Sequence, residues 1–203
     1  GRDAIQLNQQ DAFASMSEKR IVITGAAGSI GSELVRQVLI HKPQAVLAID
    51  QAETPMHDLH LELKKLGILD RVQLQIGDVR DREQMIQTLE DFQPDMVFHA
   101  AAYKHVPLME AQPWQAFETN VMGTLNTLSA AQLAGCERFV LVSTDKAVNP
   151  TSVMGATKRL AEKVVRFQAS QQSTLCVITR FGNVLGSNGS VIPLFRQQIE
   201  SGG

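Results

Sequence analysis

Arg20-Ile21-Val22-Ile23-Thr24-Gly25-Ala26-Ala27-Gly28-Ser29-Ile30-Gly31 joins an apolar run to a glycine-rich turn, and Leu34, Val35, Val38 and Leu39 follow on one helical face. A β-branched run, a turn of this kind and an amphipathic stretch read as strand, tight loop and helix. The glycines let the backbone turn sharply and approach a ligand, and a phosphate placed there meets the N–H groups of the helix start. The spacing is GxxGxxG rather than GxGxxG, so the turn alone is a weak sign. Its surroundings strengthen it. The next apolar run, Val46-Leu47-Ala48-Ile49, ends in Asp50, 19 residues beyond Gly31. A carboxylate at that place accepts hydrogen bonds from both hydroxyls of an adenosine ribose and repels a 2′-phosphate. Gln51, Ala52 and Glu53 come next, with no Arg or Lys among them, so the reading is NAD rather than NADP. Gly25, Ala27, Gly28, Ser29, Ile30, Gly31 and Asp50 form the expected cofactor set.

Outward from this turn, short β-branched runs alternate with longer amphipathic stretches. Val72-Gln73-Leu74, Met96-Val97-Phe98, Phe139-Val140-Leu141-Val142 and Cys176-Val177-Ile178 read as further strands, with helices expected over 29–41, 55–67, 82–92, 113–134 and 153–170. The second and fourth strands are continuous apolar runs, as strands buried on both faces require. Alternation at this spacing means repeated βαβ units and a parallel sheet, so the expected fold is a doubly wound, Rossmann-like α/β domain. Strand C-terminal ends line the ligand crevice of such sheets. That adds Asp78-Val79 after the third strand and Ala100-Ala101-Ala102 after the fourth to the cofactor set. His99 by itself reads as a structural histidine.

The 203 residues are 44% apolar and 20% charged, with two Cys. This composition excludes disorder, collagen and a disulfide scaffold. A net charge of −2 offers no electrostatic handle for nucleic acid or an anionic membrane. Cys136 and Cys176 lie far apart in apolar surroundings and read as reduced core thiols of a cytoplasmic protein. No apolar run approaches the ~18 residues of a membrane span. Residues 1–18 are polar and Gln-rich and read as a linker, and 19–182 as the NAD-binding domain with its catalytic residues. Residues 183–203 read as the start of a substrate-binding region that the chain does not complete, so NAD binding without turnover is the expectation for this length.

Taken together, the glycine turn, Asp78-Val79, His99-Ala100-Ala101-Ala102 and Asn120-Val121-Met122-Gly123-Thr124 resemble the extended short-chain dehydrogenase/reductase family. That family uses Tyr-x-x-x-Lys on the helix after the fifth strand. Here the helix carries Met154-Gly155-Ala156-Thr157-Lys158: the lysine is in place, and the tyrosine is a methionine. Tyr103, the single tyrosine, lies after the fourth strand and cannot stand in by position. One branch accommodates this departure. Ser143-Thr144-Asp145-Lys146-Ala147-Val148-Asn149-Pro150, Lys104-His105-Val106-Pro107-Leu108-Met109-Glu110 and Phe181-Gly182-Asn183-Val184-Leu185-Gly186-Ser187-Asn188-Gly189-Ser190 resemble bacterial UDP-N-acetylglucosamine 4,6-dehydratases of polysaccharide biosynthesis. The resemblance runs from about Arg20 to the last residue. It implies a UDP-sugar substrate and a lyase reaction. NAD oxidises carbon 4, water is eliminated across carbons 5 and 6, and the hydride returns to carbon 6. It also implies longer parents with a membrane region upstream, in which this module lies on the cytoplasmic face, and it allows a homo-oligomer.

Such chemistry needs a base for the 4-hydroxyl, a base at carbon 5 and an acid for the departing 6-hydroxyl. Asp145-Lys146, in a loop at a strand end, supplies both kinds of proton transfer. A thioether has no proton to give, so Met154 can only pack. Thr144 is a weak base unaided and Lys146 is wanted at carbon 5, which leaves Asp145, directly or through Thr144, for the 4-hydroxyl. Desolvation and the nearby Lys158 cation are expected to make Lys146 a better base. By resemblance, Lys158 also holds the nicotinamide ribose and Asn120 organises the lysine and its water. Lys104, His105, Thr144, Asn183 and Asn188 are expected at the sugar or diphosphate. No metal is expected. Two alternatives stand beside this reading: a UDP-hexose 4-epimerase or reductase, which shares the first oxidation but would normally keep the helix tyrosine and would not need an Asp-Lys pair, and a catalytically inactive NAD-binding regulator, which would not need Asp145, Lys146 and Lys158.

Overall fold

The structure, a computed structural model, describes residues 15–171, 173–182 and 184. Six parallel strands form one sheet: β1 Arg20–Thr24, β2 Ala45–Asp50, β3 Val72–Ile76, β4 Met96–His99, β5 Arg138–Thr144 and β6 Leu175–Phe181. Their order is β3-β2-β1-β4-β5-β6. The chain therefore starts in the middle, winds out to β3, crosses back and winds out the other way. This leaves a crevice where β1 and β4 lie side by side with their loops departing in opposite directions.

Period-two alternation divides each inner strand between two apolar layers. Ile21 and Ile23 of β1 face one way with Val46 and Ala48 of β2, packing on Val35 and Val38 of α1 (Ser29–Ile40) and Met56, Leu59 and Leu63 of α2 (Glu53–Lys65). Val22, Leu47, Ile49, Val97, Phe139 and Leu141 face the other way. They meet Met85 and Leu89 of α3 (Arg82–Phe92), and helices over 123–133 and 153–169 close the same layer. The continuous apolar runs at β2 and β4 are buried on both faces, as their composition requires.

One segment departs from the sequence-based expectation. The single helix expected over 113–134 is three pieces: α5 Pro113–Phe117, a π turn Glu118–Met122, and α6 Gly123–Leu133. A further short helix, α4 Val106–Ala111, precedes it, with Pro107 in its first turn. The π turn widens the helix by one residue, and Thr119, Asn120 and Val121 within it are all buried. The last helix, α7 Val153–Ala169, is capped by Ser152, whose hydroxyl accepts the Gly155 N–H.

Candidate active site

The C-terminal ends of β1, β2, β3 and β4 surround an open cleft. Gly25, Gly28, Asp50, Asp78, Val79, Ala100, Ala101 and Ala102 line it, all of them expected from the sequence. Gly31 is fixed by close approach: a Cβ there would lie 1.9 Å from the Gly25 carbonyl oxygen. Gly25 itself has φ +68°, in the left-handed region that favours glycine. Asp50 ties the turn to β2, its Oδ2 accepting the Ala27 N–H at 3.0 Å and its Oδ1 the Ala52 N–H at 2.9 Å. An ionised carboxylate retains further lone pairs for a ligand.

Two observations fit this cleft to a dinucleotide. Gly28 stands at the N-cap of α1 without a side chain, so the helix start opens toward the cleft, and a Cβ there would meet only the Gly25 oxygen, at 3.3 Å. Thr119 lines the cleft at 4% exposure, with a hydroxyl that has no hydrogen-bond partner among the described residues. An orphaned buried polar atom in a ligand cleft is a group waiting for a partner.

Through space there is also a cation that reading along the chain from Asp50 misses. Arg80 follows β3, and its Nη2 reaches the Gln51 Oε1 at 3.4 Å. Asp78 holds the same guanidinium, accepting from Nε at 2.8 Å and from Nη2. Burial works against the charge on Asp78, but the Arg80 hydrogen bonds prevail and hold its carboxyl below the usual range.

The second group gathers at the end of β5. The Thr144 hydroxyl donates to Asp145 Oδ1 at 2.9 Å, and Lys146 Nζ donates to the same oxygen at 3.2 Å. These two donors hold the Asp145 carboxyl below its ordinary value. All three residues sit on the 3₁₀ turn over 145–147 and the strand residue before it. The expectation that Lys146 is desolvated is not met: its side chain is 42% exposed and paired with Asp145. Position in the turn decides this, since the turn projects beyond the sheet. The buried lysine is Lys158, which donates to the Val142 carbonyl at 2.8 Å. Burial lowers it to about 8, with the Glu162 charge pulling the other way.

Glu162, unremarked in the sequence, is the anchor beneath the group. Its carboxylate accepts from Ser143 Oγ at 2.7 Å and Arg180 Nε at 2.7 Å, so α7, β5 and β6 are joined at one point. Burial opposes its charge, yet the Arg180 and Ser143 hydrogen bonds win and hold it at about 2.

Asn120 is committed elsewhere than expected. Its Oδ1 accepts the Tyr103 N–H at 2.8 Å, and its Nδ2 donates to the Tyr103 carbonyl and to Thr157 Oγ1. It therefore stitches the cleft loop to α7 and makes no contact with Lys158 among these bonds. Met154 is buried and packs with Met109 and Ala116, and Tyr103 lies against them. The Tyr103 hydroxyl accepts from Gln51 at the end of β2, with β1 and β4 between it and β5. It points away from Asp145. Lys104 and His105 are exposed where α4 begins, and Asn183 and Asn188 fall outside the described residues. Ile49, Thr119, Gly77, Gln51 and Tyr103 complete the cleft. Only Gly77 left a local signal, a glycine at a strand end. Among the described residues no cluster of His, Cys, Asp and Glu could hold a metal, and no helix is long and apolar enough to cross a membrane.

Comparison with known proteins gives this geometry a context. Residues 21–203 match the family described as polysaccharide biosynthesis protein. The chain is 44% identical over its whole length to a probable polysaccharide biosynthesis protein, EpsC, of Bacillus subtilis, covering 34% of that protein. It is 38% identical to a UDP-glucose 4-epimerase of Rickettsia canadensis, over 91% of the chain and 54% of that protein. It is 35% identical to a UDP-N-acetylglucosamine 4,6-dehydratase (inverting) of Campylobacter jejuni, over 92% of the chain and 55% of that protein. The chain thus spans about a third of the first of these relatives and little more than half of the other two. Among solved structures, Pen from Bacillus thuringiensis superposes with a TM-score of 0.85 at 35% identity, over 92% of this chain and 57% of that one. DesIV, a dTDP-glucose 4,6-dehydratase from Streptomyces venezuelae with NAD and TYD bound, superposes with a TM-score of 0.78 at 28% identity, over 91% and 63%.

Proposed function

Because this chain belongs to the polysaccharide biosynthesis protein family, matched from residue 21 to 203, we propose that it is the NAD-binding and proton-transfer module of a nucleotide-sugar 4,6-dehydratase acting on UDP-N-acetylglucosamine. One observation carries the choice of dehydration: the Thr144–Asp145–Lys146 cluster at the end of β5, beside a helix whose position 154 is a packed methionine. NAD fits the glycine turn, Asp50 and the unpaired Thr119 hydroxyl, and when bound it supplies a two-electron oxidant for carbon 4 that is regenerated within the cycle.

The side chains account for the protons. Asp145, already bonded to the Thr144 hydroxyl, takes the 4-hydroxyl proton through it. With Asp145 neutral, the Lys146 ammonium loses the anion that its Nζ bonds, passes a proton to the water that its exposed side chain meets, and as the neutral amine takes the proton at carbon 5. The protonated Asp145 then gives its proton to the departing 6-hydroxyl, so one carboxyl serves as base and then as acid. Lys158 is buried below, a cation fixed on the Val142 carbonyl. Asn120, bonded to Tyr103 and Thr157, keeps the cofactor loop and α7 in register.

The epimerase relatives support a second reading, since a 4-epimerase shares the first oxidation. The mass of the product from UDP-N-acetylglucosamine separates the two in the complete protein. Loss of one water is the expected result. An altered sugar of unchanged mass would make the protein an epimerase and leave Asp145 without its second role.

A further inference from the structure

Arg80 stands where the cofactor cleft meets the residue after Asp50. Its side chain is one-third exposed and carries five N–H donors. Nε and one Nη2 hydrogen go to Asp78, the other Nη2 hydrogen to Gln51, and one Nη1 hydrogen to Gln115 at 3.1 Å. The second Nη1 hydrogen has no partner among the described residues. The Gln51 bond, at 3.4 Å, is long and cheaply surrendered. A guanidinium with one donor unused and another weakly held can turn a fork toward a phosphate.

Two carboxylates oppose that use. Asp78 neutralises the guanidinium from β3, and Asp50 puts a negative charge beside the ribose position that a 2′-phosphate would share. We propose that Arg80 is a latent anchor for a ribose 2′-phosphate, held out of use by Asp78 and Asp50, so that these three side chains together set the choice between NAD and NADP. The inference rests on the dinucleotide reading above and deepens it. It makes Asp50 more than an acceptor for ribose hydroxyls: its charge is what keeps a cation at the edge of the cleft from being exploited.

The test is a double-substitution cycle read by calorimetry as the ratio of NADP to NAD affinity, which cancels any loss common to both. Asp50→Ala is expected to raise the ratio about tenfold or more, the worth of one charge-assisted bond. In an Arg80→Gln background the same change is expected to raise the ratio by a smaller factor, at least about fivefold less, because only the lost hydroxyl bond of NAD and the relieved repulsion of the 2′-phosphate remain. Arg80→Lys, which keeps the charge, is expected to restore most of the gain. An equal response in both backgrounds, or none in either, overturns the inference and leaves NAD binding intact. Failure of the unsubstituted chain to bind either dinucleotide overturns the cofactor reading and this inference with it.

Discussion

Among the described residues Thr119 and Gln132 each keep a buried polar atom without a partner, and Thr119 is the one that lines the cleft. The Thr119 hydroxyl has no partner among the described residues, so a cofactor that pairs with it recovers a desolvation cost already incurred. Thr119→Val keeps the shape and removes the hydroxyl. Thermal unfolding of the free chain should then be unchanged or shifted upward, by at most ~1 kcal/mol, while calorimetry should show NAD binding about five- to tenfold weaker. Asp145 makes the opposite case, a group satisfied by its neighbours and exposed to whatever enters. In the complete protein Asp145→Asn should slow the first oxidation by at least about a hundredfold, followed as reduced nicotinamide absorbance in a single turnover. Rapid absorbance growth with no loss of water would restrict Asp145 to the later acid step. At this scale the sequence was legible where geometry depends on spacing along the chain: the glycine turn and Asp50 at the cleft, and the mutual bonding of Thr144, Asp145 and Lys146. It was silent where geometry depends on approach through space. Arg80 lies 29 residues from Gln51, and the burial of Lys158 beside an exposed Lys146 follows from the turn geometry, not from either neighbour in sequence.

Among the elements, α7 does most to place the chemistry. It grips the last residues of β5 twice, through Lys158 on the Val142 carbonyl and through Glu162 on Ser143, and its third residue lets the 145–147 turn lie against it. A Cβ on Gly155 would stand 2.6 Å from the Lys146 carbonyl oxygen. Alanine usually stabilises a helix interior by roughly 1 kcal/mol over glycine. Here Gly155→Ala should instead cost about 1–3 kcal/mol in denaturant unfolding and displace Asp145 and Lys146, with activity lost further than stability. The helices over 82–92 and 153–170 could be read from periodicity because each is long and one-sided. The π turn could not, since one extra residue in a turn leaves no repeat to detect, and α4 is too short to establish one. The π turn also completes a proton chain. Thr124 gives its hydroxyl hydrogen to the Asn120 carbonyl, so it can only accept from His99 Nε2, and His99 Nδ1 must accept from Thr24. His99 is a neutral structural pillar between β1 and the start of α6, which Thr124 ties back to the π turn.

That pillar, with Glu162, sets how the whole molecule responds to pH. Burial, reinforced by the Lys158 charge, lowers His99 from 6.5 to about 3. Between those values the unfolded chain binds a proton that the native protein refuses, so stability declines as pH falls below 6.5, by up to ~1.4 kcal/mol per pH unit. Glu162, lowered from 4.5 to about 2, adds stability that is complete above 4.5 and is lost toward 2. Lys158 works at the other end: its native value of about 8 against 10.5 unfolded means stability rises with pH between them. Thermal unfolding across pH should therefore show a progressive loss beginning near 6.5, and His99→Gln should flatten the part above 4.5 while leaving the Glu162 limb. A profile for His99→Gln that parallels the unsubstituted protein would mean another group titrates there.

Trp114 extends this to something a spectrometer can follow. It is the single indole of the chain, 64% exposed and stacked on Phe117, one residue from the Gln115 that Arg80 touches. Any ligand that draws the guanidinium away from Gln115 disturbs the surroundings of that indole, and a reduced dinucleotide in the cleft absorbs where indole emits. The molecule carries its one indole next to the residue that bonds Arg80, the cation at the edge of the cofactor cleft.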